Sequence, residues 1–139
     1  MSDNKCYVCL RISPEKTLKL AHQVWNEDPA TARKIGLESS QIIEEVYRRQ
    51  PVFFCGRTTT RILSGLFYLL GLRHKSQKSQ TAIWSALTGK NKTANTPSIS
   101  YRSWIGAFPE LFDDLKLDFI DGIDRQGYYY RRRLLLKNE

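Results

Sequence analysis

GRTTTRILSGLFYLLGL, residues 56–72, is the stretch that decides the fold. Each of its threonines, Thr58, Thr59 and Thr60, can cap the start of a helix, and Gly71 can end one. The residues between them are almost all apolar, which is typical of a helix surrounded by other elements. The run is shorter than the roughly 20 apolar residues that cross a bilayer. We therefore expect a buried central helix and no membrane association.

Helix signals in front of this stretch predict a mainly α-helical fold. Ser13 and Pro14 form a cap-plus-proline opening for the first helix. A short helical piece is then expected to end at Gly36, because glycine commonly follows the last helical residue. The next helix carries an apolar stripe and should end before Pro51, since the residue before a proline avoids helical geometry.

Behind the central stretch, the pattern predicts a fourth helix that ends at Gly89 and a fifth over residues 97–108. Two strand-like runs joined by DRQG, residues 124–127, then predict a C-terminal β-hairpin. The expected organisation is an arm or strand over residues 1–12, a helical domain over 13–112, and a hairpin over 113–139 packed on the same domain.

The charge of the chain points to a polyanionic partner. The net charge is +8, and residues 46–109 contain ten lysines and arginines but no aspartate or glutamate. Charge of one sign repels itself unless a polyanion relieves the repulsion. A solvated basic face is the simpler interpretation, but the basic footprint favours nucleic acid.

The cysteines and histidines give no sign of a metal site or of catalysis. An odd count of three cysteines argues against a disulfide framework and for a reducing compartment. Cys6 and Cys9 lack two further ligands at zinc spacing, so inert thiols are expected. Cys55 and His74 lie at opposite ends of the central helix, about 20 Å apart at 1.5 Å per residue. We therefore predict no metal, no cofactor, no small-molecule substrate and no enzymatic activity.

The location is predicted from the start of the chain. No basic-then-apolar leader follows Met1, which predicts that the protein is not secreted. An intracellular location, cytoplasmic at the nucleoid or nuclear, is the corresponding expectation.

Five short motifs, in this order, resemble one cyclin-box repeat of the archaeal transcription factor B and eukaryotic transcription factor IIB family. They are LKLAHQVW, IIEEVYRR, GRTTTRILSGLFYLL, KSQTAI and SISYR, and the resemblance covers about residues 14–111. The resemblance implies a five-helix bundle in which the fourth and fifth helices form a helix-turn-helix. Members of that family normally have two such repeats and an N-terminal zinc ribbon, whereas this chain has one repeat and a single CxxC pair. The resemblance therefore implies a single-repeat DNA-binding factor.

The resemblance also implies which residues touch DNA. The fourth and fifth helices and the start of the third supply most of the expected contacts, and basic residues in the turns supply the others. The set is Arg57, Lys75, Gln77, Lys78, Ser79, Gln80, Lys90, Lys92, Ser98, Ser100 and Arg102. The implied partners are duplex DNA and, by resemblance, TATA-binding protein or RNA polymerase.

Two other interpretations stay open. The last two helices followed by the hairpin would suit a winged helix, with DRQG as the tip of the wing and Arg125 as a DNA contact. Cyclin boxes also serve as protein-interaction adaptors, and a surface poor in acids suits an acidic partner.

Overall fold

The computed structural model describes residues 11–89, 96–117, 122–123, 129–130 and 134–136, with side chains for residues 11–89 and 101–115. This part of the chain is mainly α-helical, which confirms the fold class expected from the sequence. Its five α-helices are α1 Pro14–Val24, α2 Pro29–Arg49, α3 Thr59–Arg73, α4 Gln80–Thr88 and α5 Thr96–Ala107. Short 3₁₀ turns, Pro51–Phe54 and Pro109–Leu111, follow α2 and α5.

Local cap chemistry sets where the helices begin. The side chains of Ser13, Asp28, Thr58 and Ser79 each accept a hydrogen bond from a backbone N–H in the first turn of the helix that follows. These caps satisfy donors that have no partner inside a helix. Thr58 is one of the three threonines expected to cap the central helix.

Two glycines that were expected to end helices lie inside them instead. α2 runs without a break through Gly36, where an added Cβ would lie 2.8 Å from Leu18 Cδ2 and 3.2 Å from Leu18 Cα. α3 likewise runs past Gly71 to Arg73. Both expectations were wrong because each glycine makes room for a close neighbour within a helix, which is another physical reason for glycine.

α3 lies at the centre of the core, as expected. Every residue from Ile62 to Leu72 is buried, and α3 packs against α2, α4 and α5. α1 packs against α2 and α4. The aromatic rings of Phe53, Phe54 and Trp104 close one side of this core. No helix in the described part of the chain is both long and apolar enough to cross a bilayer.

Short strands follow the helices. β1 (Leu115–Leu117) pairs antiparallel with β4 (Leu134–Leu136), and β2 (Gly122–Ile123) pairs antiparallel with β3 (Tyr129–Tyr130). The DRQG segment that was expected to form the hairpin turn lies outside the described residues. The C-terminal hairpin therefore stays a prediction. Of the expected N-terminal arm, only residues 11 and 12 are described, and Ile12 belongs to the core.

Candidate nucleic-acid interface

The turn between α3 and α4, residues 75–79, contains four of the predicted DNA contacts. It starts as a Schellman cap of α3: the Lys75 N–H donates to Leu72 O at 3.1 Å and the Ser76 N–H donates to Gly71 O at 2.8 Å. Lys75 therefore has a left-handed backbone, with φ of 57°. Glycine normally occupies this position, since other residues pay a steric cost there. A lysine in its place is a local exception in the middle of the candidate site.

Trp25, the residue after α1, holds this turn in position. Its indole Nε1 donates to Ser76 O at 2.9 Å, and its ring packs edge-on against Phe67 of α3. Gly71 makes the approach possible, because a Cβ there would lie 3.2 Å from Trp25 Cζ2 and 3.3 Å from Ser76 O. The turn is therefore fixed on the core at a defined place. The sequence contains no signal for this hydrogen bond.

The predicted residues of this turn differ in how available they are. Lys75, Gln77 and Ser79 are exposed, and Ser79 Oγ accepts from Ala82 N at 3.0 Å as the cap of α4. Lys78 is half-buried and its Nζ lies 2.7 Å from Glu27 Oε2. Gln80 is also half-buried, and its Oε1 is enclosed without a hydrogen-bond partner in the described part of the chain. Of this set, Lys75, Gln77 and Ser79 are therefore the side chains most accessible to a ligand.

Residues 46–109 contain no aspartate or glutamate, but the fold brings carboxylates from other parts of the chain to them. Among the described residues, ion pairs between the cations of this segment and carboxylates from outside it include Arg48–Glu45, Arg49–Glu110, Arg73–Glu38 and Lys78–Glu27. Part of the positive charge of residues 46–109 is therefore paired within the fold, which the charge pattern of the sequence did not show. The reason is that three of these acids come from distant parts of the chain. Each pair cancels one charge of each sign, so the net charge of +8 still has to be carried by the other cations.

The most elaborate of these contacts is the Arg73 cluster, which consists of Arg73, Glu38, His74 and Asp114. Arg73 binds Asp114 with two hydrogen bonds of 2.7 and 2.9 Å and Glu38 with one of 2.6 Å. His74 Nε2 lies 2.6 Å from the other oxygen of Glu38. Burial disfavours the guanidinium charge, but the bonds to Asp114 and Glu38 outweigh it and raise the pKa of Arg73 above its ordinary value. The cluster joins α2, the end of α3 and the segment before β1.

Arg57 does not lie ready for a phosphate contact. Its Nη1 donates to Phe53 O, and its guanidinium carbon lies 4.5 Å from the centre of the Phe53 ring. Arginine over an aromatic face is a stabilising packing contact. Among the described residues this side chain therefore serves the turn in front of α3.

The fifth-helix contacts are placed in part. α5 contacts both α3 and α4, so the two helices of the expected helix-turn-helix, α4 and α5, are neighbours. Arg102 is half-buried on α5. Ser98 and Ser100 belong to α5 by their backbone, but their side chains lie outside the described ones. Lys90 and Lys92 also lie outside the described residues.

Cys55 differs from what the cysteine count predicted. Cys55 is disulfide-bonded, so the expectation that the odd cysteine count argues against disulfide bonding was wrong at this residue. An odd number of cysteines requires one to be left over but permits one bridge. The cysteine count thus gives no reason to expect a reducing compartment. Over residues 11–89 and 101–115, no three His, Cys, Asp or Glu side chains are grouped to hold a metal ion.

Comparisons with protein-family models, with curated proteins and with solved structures found no match to this chain.

Proposed function

We propose that the chain is a transcription factor-like protein that binds duplex DNA with the α3–α4 turn and the α4–α5 pair, on a helical core of cyclin-box type. The observation that carries the proposal is the exposure of Lys75, Gln77 and Ser79 directly in front of α4, which contacts α5. Lysines supply phosphate contacts, and exposed amides and hydroxyls hydrogen-bond to phosphates and base edges.

Three physical features support a polyanion at this turn. Lys75 has no ion pair among the described residues, although other cations of residues 46–109, such as Arg73 and Lys78, do. The N-terminus of α4 adds the positive end of a helix dipole. A left-handed lysine at this place also carries a conformational cost, of the kind that occurs at functional sites.

The proposal is tested by the dependence of duplex binding on salt. Fluorescence anisotropy with a labelled duplex should show that log K falls linearly with log salt, with a slope of about −0.9 for each phosphate contacted. Lys75→Gln should make this slope shallower by about one unit. Lys16→Gln is the matched control, because Lys16 is exposed near the end of α1 remote from Trp25, about 13 Å away at 1.5 Å per residue.

Equal losses for Lys75→Gln and Lys16→Gln would contradict the assigned site, and affinity that hardly changes with salt would contradict the mechanism. The same assay separates the other interpretations. A winged helix requires Arg125→Gln to weaken binding as much as Arg102→Gln. A protein-interaction adaptor predicts no binding to duplex DNA, single-stranded DNA or RNA in this assay.

A further inference from the structure

Two turns of the molecule meet at the candidate interface. Residues 25–28, between α1 and α2, touch residues 75–79 at two places. The first is the 2.9 Å hydrogen bond from Trp25 Nε1 to Ser76 O, and the second is the 2.7 Å pair of Lys78 Nζ with Glu27 Oε2. Because the first contact fixes the turns against each other, the second brings a carboxylate to a lysine of the proposed DNA-binding turn.

The environment of this pair allows another anion to replace Glu27 as the partner of Lys78. The Glu27 side chain is 55% exposed and that of Lys78 is 28% exposed, so the carboxylate is the more solvent-accessible member of the pair. Its hydrogen bond with Lys78 holds the pKa of Glu27 below its ordinary value, which means that the carboxylate stays ionised at neutral pH. Exposed ion pairs of this kind are weak and open readily.

We propose that Glu27 competes with DNA phosphate for Lys78, so that the turn between α1 and α2 limits the affinity of the interface for nucleic acid. This inference rests on the proposed function. In the unbound protein the carboxylate occupies the position next to the ammonium that a phosphate oxygen would take. On binding, the phosphate replaces it, and Glu27 is left beside a polyanion without its partner.

The competition predicts that removal of one negative charge strengthens binding more at Glu27 than elsewhere. Glu27→Gln should raise the affinity for a duplex by about threefold to fivefold, the range set by the strength of an exposed ion pair. Glu44→Gln is the matched control: Glu44 is exposed on α2, about 24 Å along the helix from Asp28 at 1.5 Å per residue. It changes the net charge equally and should raise the affinity by less than about twofold, since charges beyond a Debye length are screened.

A double-mutant cycle links the effect to Lys78. In a Lys78→Gln background, Glu27→Gln should have no larger effect than Glu44→Gln. A ¹³C titration of the Glu27 carboxyl in the unaltered protein gives an independent measurement. Addition of duplex should remove the Lys78 contact, and the apparent pKa of Glu27 should rise.

An affinity for Glu27→Gln that equals that of Glu44→Gln, or falls below that of the unaltered protein, would overturn the inference. It would do so without affecting the proposed function, provided that the salt dependence and the Lys75→Gln loss remain. Absence of duplex binding in every variant would overturn both. The two failures are therefore distinguishable in one set of measurements.

Discussion

The Arg73 cluster and the α3–α4 turn are adjacent along the chain, yet the fold uses their cations in opposite ways. Arg73 binds two carboxylates from residues 35 and 41 positions away. Lys75, two residues later, is exposed and makes no ion pair in the described part of the chain. The comparison shows that the availability of a cation depends on which acids the fold brings to it. Local charge patterning does not contain this information.

The largest difference between the two regions should appear in stability. Arg73→Ala leaves Glu38 and Asp114 without their common partner and removes the hydrogen bond to Leu111 O. Because the Arg73 side chain is only 21% exposed, we expect a loss of about 2–3 kcal/mol in the free energy of unfolding, between the values for surface and buried pairs. Urea denaturation followed by circular dichroism measures it.

Arg73→Lys is the control for this prediction. It retains the charge but loses the two-pronged geometry toward Asp114, so it should lose about half as much stability. If Arg73→Ala costs less than about 0.5 kcal/mol, the cluster is an ordinary surface ion pair. The paired cations of the Arg73 cluster would then contribute no more to stability than Lys75 of the α3–α4 turn.

The second prediction concerns how firmly the turn is held. Trp25→Phe removes the hydrogen bond to Ser76 O and part of a buried ring, and should lower stability by about 1–2 kcal/mol. It should also speed hydrogen exchange of the Ser76 amide, which is bonded to Gly71 O.

Trp104→Phe is the matched change in the other half of the core. Trp104 Nε1 donates to Ile62 O at 3.0 Å in a buried position, so the stability loss should be similar. Exchange of the Ser76 amide relative to global unfolding should not change. Equal exchange in both variants would show that Trp25 contributes only to the core and does not position the turn.

The sequence predicted the helical core well because burial repeats with the helical period. The apolar residues of α3 and most of the apolar stripe of α2 are buried as expected. Tyr101 and Trp104 of α5, and Phe108 directly after it, are buried at the same helical period. Cap signals such as Ser13-Pro14 were equally readable, since they act within a few residues. The roles of Gly36 and Gly71 could not be predicted from the sequence, because these glycines are needed for contacts with residues far away in the chain.

The candidate site was predictable only in part for the same reason. The exposure of Lys75, Gln77 and Ser79 is a local property of a polar turn. The involvement of Lys78 with Glu27 and of Arg57 with Phe53 depends on how elements pack. Glu27 itself carried no sequence signal beyond that of a surface acid, and its contact is visible only in three dimensions.

The smallest expected effect separates stability from binding at one residue. Lys75→Gly should stabilise the protein by about 0.5 kcal/mol, because glycine adopts the left-handed C-cap position without the steric cost that lysine pays there. The same change removes an exposed cation from the turn, so duplex affinity should fall as much as in Lys75→Gln. Lys75→Ala removes the charge without relieving the backbone and should weaken binding with no gain in stability.

Thermal denaturation together with anisotropy measures the stability and the duplex affinity of these variants. A glycine variant that gains stability and keeps its affinity would mean that the strained lysine is not there for a polyanion. The distinction drawn between the Arg73 cluster and the α3–α4 turn would then be one of exposure alone.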